Sequence, residues 1–180
     1  MTPHDAFSCP LAPPLGDAVA PINFYFRCVL AYRPFEHWSR VLDTADACES
    51  PMLKLLAVDY LQQSAAGEDG LLSRADALVE AVSSSSGHGR LPPREAGYLA
   101  ALRATRHAKW SEAYYAWLGV VRLCPSDLFA VKRAQFACLM SGNAKGMLDA
   151  ASAATATGGE LGRYYFGLLS FGLEQCRRFE

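Results

Sequence analysis

A chain of 180 residues and 19.5 kDa suits one domain, and with 51% apolar residues it can build a core and is no disordered tail. Its charged fraction of 19% lies below the roughly 25% of globular averages, so little charge covers the outside and some surface expects a neighbour. A net charge of -1 provides no basic excess for nucleic acid or an anionic membrane surface.

Residues 1–16 are Pro-rich and read as a frayed or extended tail. They carry no Lys or Arg, and prolines interrupt their apolar stretches, so the pattern of an export signal is absent. No segment approaches the roughly 18 consecutive apolar residues of a membrane span. Cys9, Cys28, Cys48, Cys124, Cys138 and Cys176 form no CxxC and are expected to be reduced thiols, packed as small apolar side chains. A cytoplasmic location is the matching expectation.

Between residues 17 and 82, short helical patterns alternate with breakers. Residues 23–33 are aromatic and helix-length, and Pro34 closes them. Residues 35–49 place Trp38, Val41, Leu42 and Ala45 at helical spacing, with Glu36 and His37 on a polar face beside a buried tryptophan. Ser50 and Pro51 read as an N-cap and a first helical position. The helix behind them puts Leu53, Leu56, Ala57, Tyr60 and Leu61 on one face, and residues 71–82 form the next helix. Residues 83–92 are Ser/Gly-rich and predict a flexible loop, with phosphorylation of the serine run as the functional alternative. From residue 93 to 180 the helical pattern resumes over 93–107 and 110–124. Pro125 stops the second of these, Ser126 or Asp127 caps a helix ending at Gly142-Asn143, and two further helices follow over 144–157 and 160–180. No convincing strand pattern occurs, and the fold class expected is all-α.

Periodicity sharpens that expectation. A tetratricopeptide repeat spans about 34 residues in two antiparallel helices, with small residues at close crossings, an aromatic in the second helix and a closing proline. Counting back from Pro125, these positions fall on Ala101, Trp110, Ala113 and Trp117, while Gly97 stands where the first-helix aromatic belongs, next to Tyr98. A degenerate repeat follows, with Gly142 at its turn, Ala144 in place of the aromatic, and Ala151 and Ala154 in its second helix. On LPPRE (91–95), WSEAYYAW (110–117), CPSDLFAVKRAQFACLMSG (124–142) and GRYYFGLLSFGLEQCRRFE (162–180), the chain resembles the tetratricopeptide repeat protein 38 family. Residues 17–85 follow that family's helix order more loosely. The resemblance implies a tetratricopeptide-like helix-turn-helix α-solenoid with an incomplete last repeat. It also implies that this chain is the N-terminal part of a longer protein. It implies an architecture and no particular reaction.

The sequence contains no dinucleotide fingerprint, P-loop, HExxH or G-x-S-x-G. His4, His37, His88 and His107 lie too far apart to pair on a helix as metal ligands. No cofactor, metal or catalytic residue is expected, although a Cys–His pair meeting in space stays open. Arg90, Arg94, Arg103, Arg106, His107 and Lys109 cluster around the helix over 93–107. Arg103, Arg106 and Lys109, spaced by three, are expected to share a face. First helices line the concave groove in such solenoids, so these three are the candidates for holding an acidic peptide, with Tyr98 and Tyr164 as candidate packing residues. A solvated helix face is the plainer alternative. The helix from Tyr164 to Leu173 is apolar nearly all round and needs cover, either from a following repeat, from a partner or from a second copy. The expected function is a non-catalytic protein-interaction scaffold that binds neither nucleic acid nor membrane. The alternatives are an enzyme or cofactor-binding accessory of small-molecule metabolism, or a fragment without independent function.

Overall fold

The computed structural model describes residues 4–11, 17–64, 68–85, 91–156 and 161–177. Apart from a bridge between His4 and Pro10, the described residues contain no β-structure, and the all-α expectation is met. They form α1 (Val19–Leu30), a 3-10 turn (Phe35–His37), α2 (Arg40–Ala47), α3 (Pro51–Ser64) and α4 (Asp69–Ser85). Then follow α5 (Pro93–Arg106), α6 (Trp110–Leu123), α7 (Leu128–Ser141), α8 (Ala144–Ser152) and α9 (Tyr164–Gln175). Helices adjacent in sequence pack on each other from α5 through α9, and α3 packs on both α4 and α5.

Local chemistry sets many of these ends. Pro51 and Pro93 open α3 and α5, where a missing N–H costs nothing. Asp127 caps α7 by accepting from the Ala130 amide at 3.0 Å, and Asn143 caps α8 by accepting from Gly146 at 2.9 Å. Gly142 ends α7 at φ 70°, a left-handed backbone that a side chain would strain. At Gly97 a Cβ would lie 2.5 Å from Val120 Cγ2, so α5 and α6 meet where only hydrogen fits.

The core runs as a chain of rings. Trp117 of α6 meets Tyr98 of α5 edge-on at 4.8 Å, and Tyr98 stacks on Phe129 of α7 at 5.7 Å. Phe129 touches Phe26 of α1 at 5.3 Å, and Phe26 touches Phe7 at 4.8 Å. Further out, the buried amide of Gln135 donates to Met147 O and Leu168 O, tying α7 to α8 and α9.

Several expectations change, and the first helix runs Val19–Leu30 rather than over 23–33. Residues 4–11 are no frayed tail: Phe7, Cys9 and Leu11 are buried. The Asp5 carboxylate folds the loop by accepting from the amides of Phe7 (2.9 Å) and Cys9 (3.1 Å), which turns Phe7 into the core. The expected helix over 35–49 divides into the 3-10 turn and α2. The Trp38 indole donates to Arg33 O at 3.0 Å, and its ring is only half-buried. Helix α4 continues into the serine run, where the Ser83 and Ser84 hydroxyls bond back to Val79 O and Glu80 O within the helix. The rest of the expected loop, residues 86–90 with His88 and Arg90, lies outside the described residues. Finally, α3 is buried nearly all round rather than on one face, since α1, α2, α4 and α5 surround it.

Candidate functional site

The expected basic face consists of Arg103 and Arg106 on α5, with Lys109 in the turn after it. Arg103 and Arg106 do share a side of the helix, but that side looks onto α4. Arg106 grips Asp76 with two hydrogen bonds of 3.0 and 3.1 Å. Arg103 donates to Ser83 Oγ at 2.7 Å and lies 3.8 Å from Glu80. Lys109 sits 3.4 Å from Glu112 on its own side of the turn. Asp76, Glu80 and Ser83 recur at helical spacing, so α4 presents a partly acidic strip to the arginines of α5. The cluster is an inter-helix seam before it is a surface for an acidic peptide.

Tyr98 is no ligand-packing residue. It is fully buried and donates its hydroxyl to Asp127 Oδ2 at 2.9 Å. The same oxygen accepts from Arg94 Nε at 2.9 Å, and Arg94 Nη1 lies 2.7 Å from Asp5 Oδ2. Burial draws the Arg94 proton affinity down, but Asp127, Tyr98 and Asp5 outweigh it and hold the guanidinium charged. Burial also pushes the Asp5 carboxyl up, against the pull of Arg94. A second buried pair joins Arg133 of α7 to Asp59 of α3, and Tyr25 of α1 donates to the same carboxylate at 2.7 Å. Both networks fasten α1 and the N-terminal loop onto α3, α5 and α7. Sequence reasoning counted Arg94 among surface cations; only the three-dimensional positions of Asp5 and Asp127 place it inside.

Tyr164 lies elsewhere, at the start of α9. It borders a cleft of about 470 Å³ between the end of α1, the turn leading to α2 and α9. The cleft walls include Phe24 and Arg27 of α1, Arg33, Arg40 of α2, and Arg163 beside Tyr164. His37 and the buried Cys28 complete it. Burial pushes the Cys28 thiol up while Arg33 and Arg40 pull it down, so both guanidinium groups act on one sulfur. No sequence motif announces this cleft, because its arginines come from three separate elements.

The remaining expected surface is α9. Only Leu168 and Gly172 of that helix are buried, whereas Phe166 is 64% exposed and Tyr165, Leu169 and Leu173 are half-buried. Among the described residues no three His, Cys, Asp or Glu side chains cluster as a metal site requires, and no helix is long and apolar enough to cross a membrane. The comparisons with known proteins return nothing to set beside this geometry: no family model, no curated protein and no solved structure matches the chain.

Proposed function

We propose that the chain is a helical-repeat interaction module of the tetratricopeptide repeat protein 38 type, which holds a protein partner and catalyses nothing. The observation that carries this reading is the run of paired helices. The pairs α3/α4, α5/α6 and α7/α8 follow in sequence, and α3, α5, α6 and α7 are each 14 residues long. Ala101, Ala113 and Trp117 are all buried, as the close-crossing and aromatic positions of such a repeat require. In an array of this kind α3, α5 and α7 line the concave side. That side already holds α1 and the N-terminal loop, so a peptide lying along it would compete with the chain's own segment.

The contact surface we favour is therefore the bare side of α9, which supplies Phe166 and the edges of Tyr165, Leu169 and Leu173. A second copy of the chain is the simplest occupant, because two such apolar faces cover one another about a two-fold axis. Size-exclusion chromatography with light scattering over a tenfold concentration range tests this. Self-association that Phe166→Glu abolishes supports the reading. A monomer at every concentration, unchanged by the substitution, removes α9 from it. A second reading, an accessory of small-molecule metabolism, is favoured by one specific feature, the arginine-lined cleft.

A further inference from the structure

Two cysteines remote in sequence meet where the N-terminal loop touches the turn between α6 and α7. The Cys9 thiol donates a hydrogen bond to the Cys124 sulfur. In the same turn Ser126 Oγ lies 3.4 Å from Cys9 Sγ. Both cysteines are free thiols.

Each sulfur hangs from a fixed backbone. Asp5 holds Cys9 on both sides: its carboxylate accepts from the Cys9 amide at 3.1 Å, and its own amide donates to Cys9 O at 3.0 Å. Cys124 follows the last residue of α6. Its amide donates to Val120 O at 2.8 Å, and its carbonyl accepts from the Asp127 amide at 2.9 Å. Thr155 pins the same turn by donating to Pro125 O at 2.9 Å. Two thiols held in contact by such frames react with each other ahead of any thiol in solution, because their encounter is intramolecular.

The two sulfurs differ in reach and in charge. Cys124 is half-buried and open to a small oxidant, whereas Cys9 is buried. The hydrogen bond from Cys9 holds the Cys124 thiol below its ordinary value, against the effect of burial. The same bond, followed by burial, pushes the Cys9 thiol up. The charged Arg94 guanidinium draws both sulfurs towards the thiolate, and Asp127 opposes it. The thiolate is the nucleophile, so Cys124 is the attacking sulfur and Cys9 the one that keeps its proton. Cys28 and Cys138 stand in contrast: both are buried, and burial pushes both thiols up, Cys138 to about 12.

We propose that Cys9 and Cys124 are a reversible redox pair, in which a hydroperoxide oxidises Cys124 and Cys9 closes the disulfide. With hydrogen peroxide, the Cys124 thiolate attacks one oxygen: an S–O bond forms, the O–O bond breaks, and hydroxide leaves to take up the proton that Cys124 gave to solvent. Cys124 is then a sulfenic acid. The Cys9 sulfur attacks it: the S–S bond forms, the S–O bond breaks, and the departing oxygen carries off the Cys9 proton as water. Two thiols and one peroxide give one disulfide and two waters, and an external dithiol reverses the change. The bond clasps the N-terminal loop to the α6–α7 turn. This inference does not depend on the repeat reading.

Peptide mapping of the full chain tests it. Trypsin leaves each cysteine in a peptide of its own, with Cys9 in residues 1–27 and Cys124 in residues 123–132. The reduced chain is exposed to hydrogen peroxide, blocked with N-ethylmaleimide and digested without reductant. The expected product joins these two peptides, weighs two hydrogens less than their sum and disappears with dithiothreitol. It is expected to exceed any other cysteine pair at least about tenfold, and to arise within one chain on a non-reducing gel. Cys9→Ser keeps a donor beside Cys124, and there Cys124 is expected to stop at the sulfenic acid and take up dimedone. In Cys124→Ser, Cys9 is expected to take up none. Peptides 1–27 and 123–132 that stay unlinked under peroxide, links scattered over several cysteines, or links between chains overturn the pair. Dimedone on Cys9 in Cys124→Ser, with none on Cys124 in Cys9→Ser, overturns the assignment of roles.

Discussion

Two sets of arginine–aspartate pairs hold this molecule, and they differ in where they lie rather than in what they are. Inside, Arg94 meets Asp127 and Asp5, and Arg133 meets Asp59, with both arginines almost wholly out of water. Outside, Arg106 meets Asp76 at a similar 3.0 Å, with half of the aspartate side chain exposed. Water and salt screen the outer pair, and its breaking returns two solvated ions. Breaking an inner pair strands a buried charge. The inner pairs also join distant parts of the chain, the N-terminal loop to α5 and α3 to α7, whereas the outer one joins neighbours. Similar geometry thus specifies tertiary structure in one place and decorates a seam in the other.

The comparison breaks most decisively at Asp127. Asp127→Ala leaves Arg94 and the Tyr98 hydroxyl without their main partner and removes the cap of α7. We expect a loss of about 3–5 kcal/mol in denaturant unfolding, partly recovered when Arg94→Met is added. A loss below about 1 kcal/mol would place this network with the surface pairs.

Phe7→Ala asks whether the N-terminal loop belongs to the interior. The ring is fully buried against Phe26, so about 3 kcal/mol is expected from the cavity alone. A dispensable tail would show no change in the unfolding midpoint.

Lys132 sharpens the boundary between the two sets, for its ammonium is only half-buried where α7 meets the end of α1. Burial, followed by the nearby Arg133 charge, pulls its pKa down from 10.5 to about 7. Between those values the unfolded chain binds the proton and the folded chain does not, so stability rises with pH across that window. Measured against the wild type from pH 7 to 10, Lys132→Met is expected to flatten this component of the rise. Parallel pH profiles would show that the Val29 carbonyl and the Tyr32 ring, 3.1 Å from Nζ, keep the ammonium charged in the fold.

The smallest effect is expected outside. Arg106→Ala should leave the thermal midpoint unchanged at moderate salt, because its pair with Asp76 is solvent-facing. A clear drop would mean that the seam between α4 and α5 stabilises the fold after all.

Three helices of the second half were legible almost to the residue, whereas α8 stops at Ser152 rather than at 157 and α9 covers Tyr164–Gln175 rather than 160–180. The expected ranges 93–107, 110–124 and 127–142 differ from α5, α6 and α7 by about a residue at each end. Proline, aspartate and glycine mark those ends through bonds to their own neighbours in sequence. The N-terminal loop was illegible for the converse reason. Its prolines describe local stiffness, whereas its docking depends on Arg94, far along the chain. Tyr98 was misread because a tyrosine on a helix looks the same whether its hydroxyl meets water or Asp127. Arg103 and Arg106 were rightly placed on one side of α5, but periodicity on a single helix does not say which helix faces that side.

By itself the sequence determined that the chain is helical, where α3, α5, α6 and α7 start and stop, and which residues are apolar enough to build a core. Capping, backbone freedom and hydrophobic period act within a few residues, so they survive without a fold. Only the tertiary structure decided that the N-terminal loop and α1 fill one side of α3, α5 and α7, that Arg94 and Arg133 lie inside, and that arginines from three elements line one cleft. Charge and burial depend on distances through space, and residues remote in sequence acquire those distances only when the helices pack.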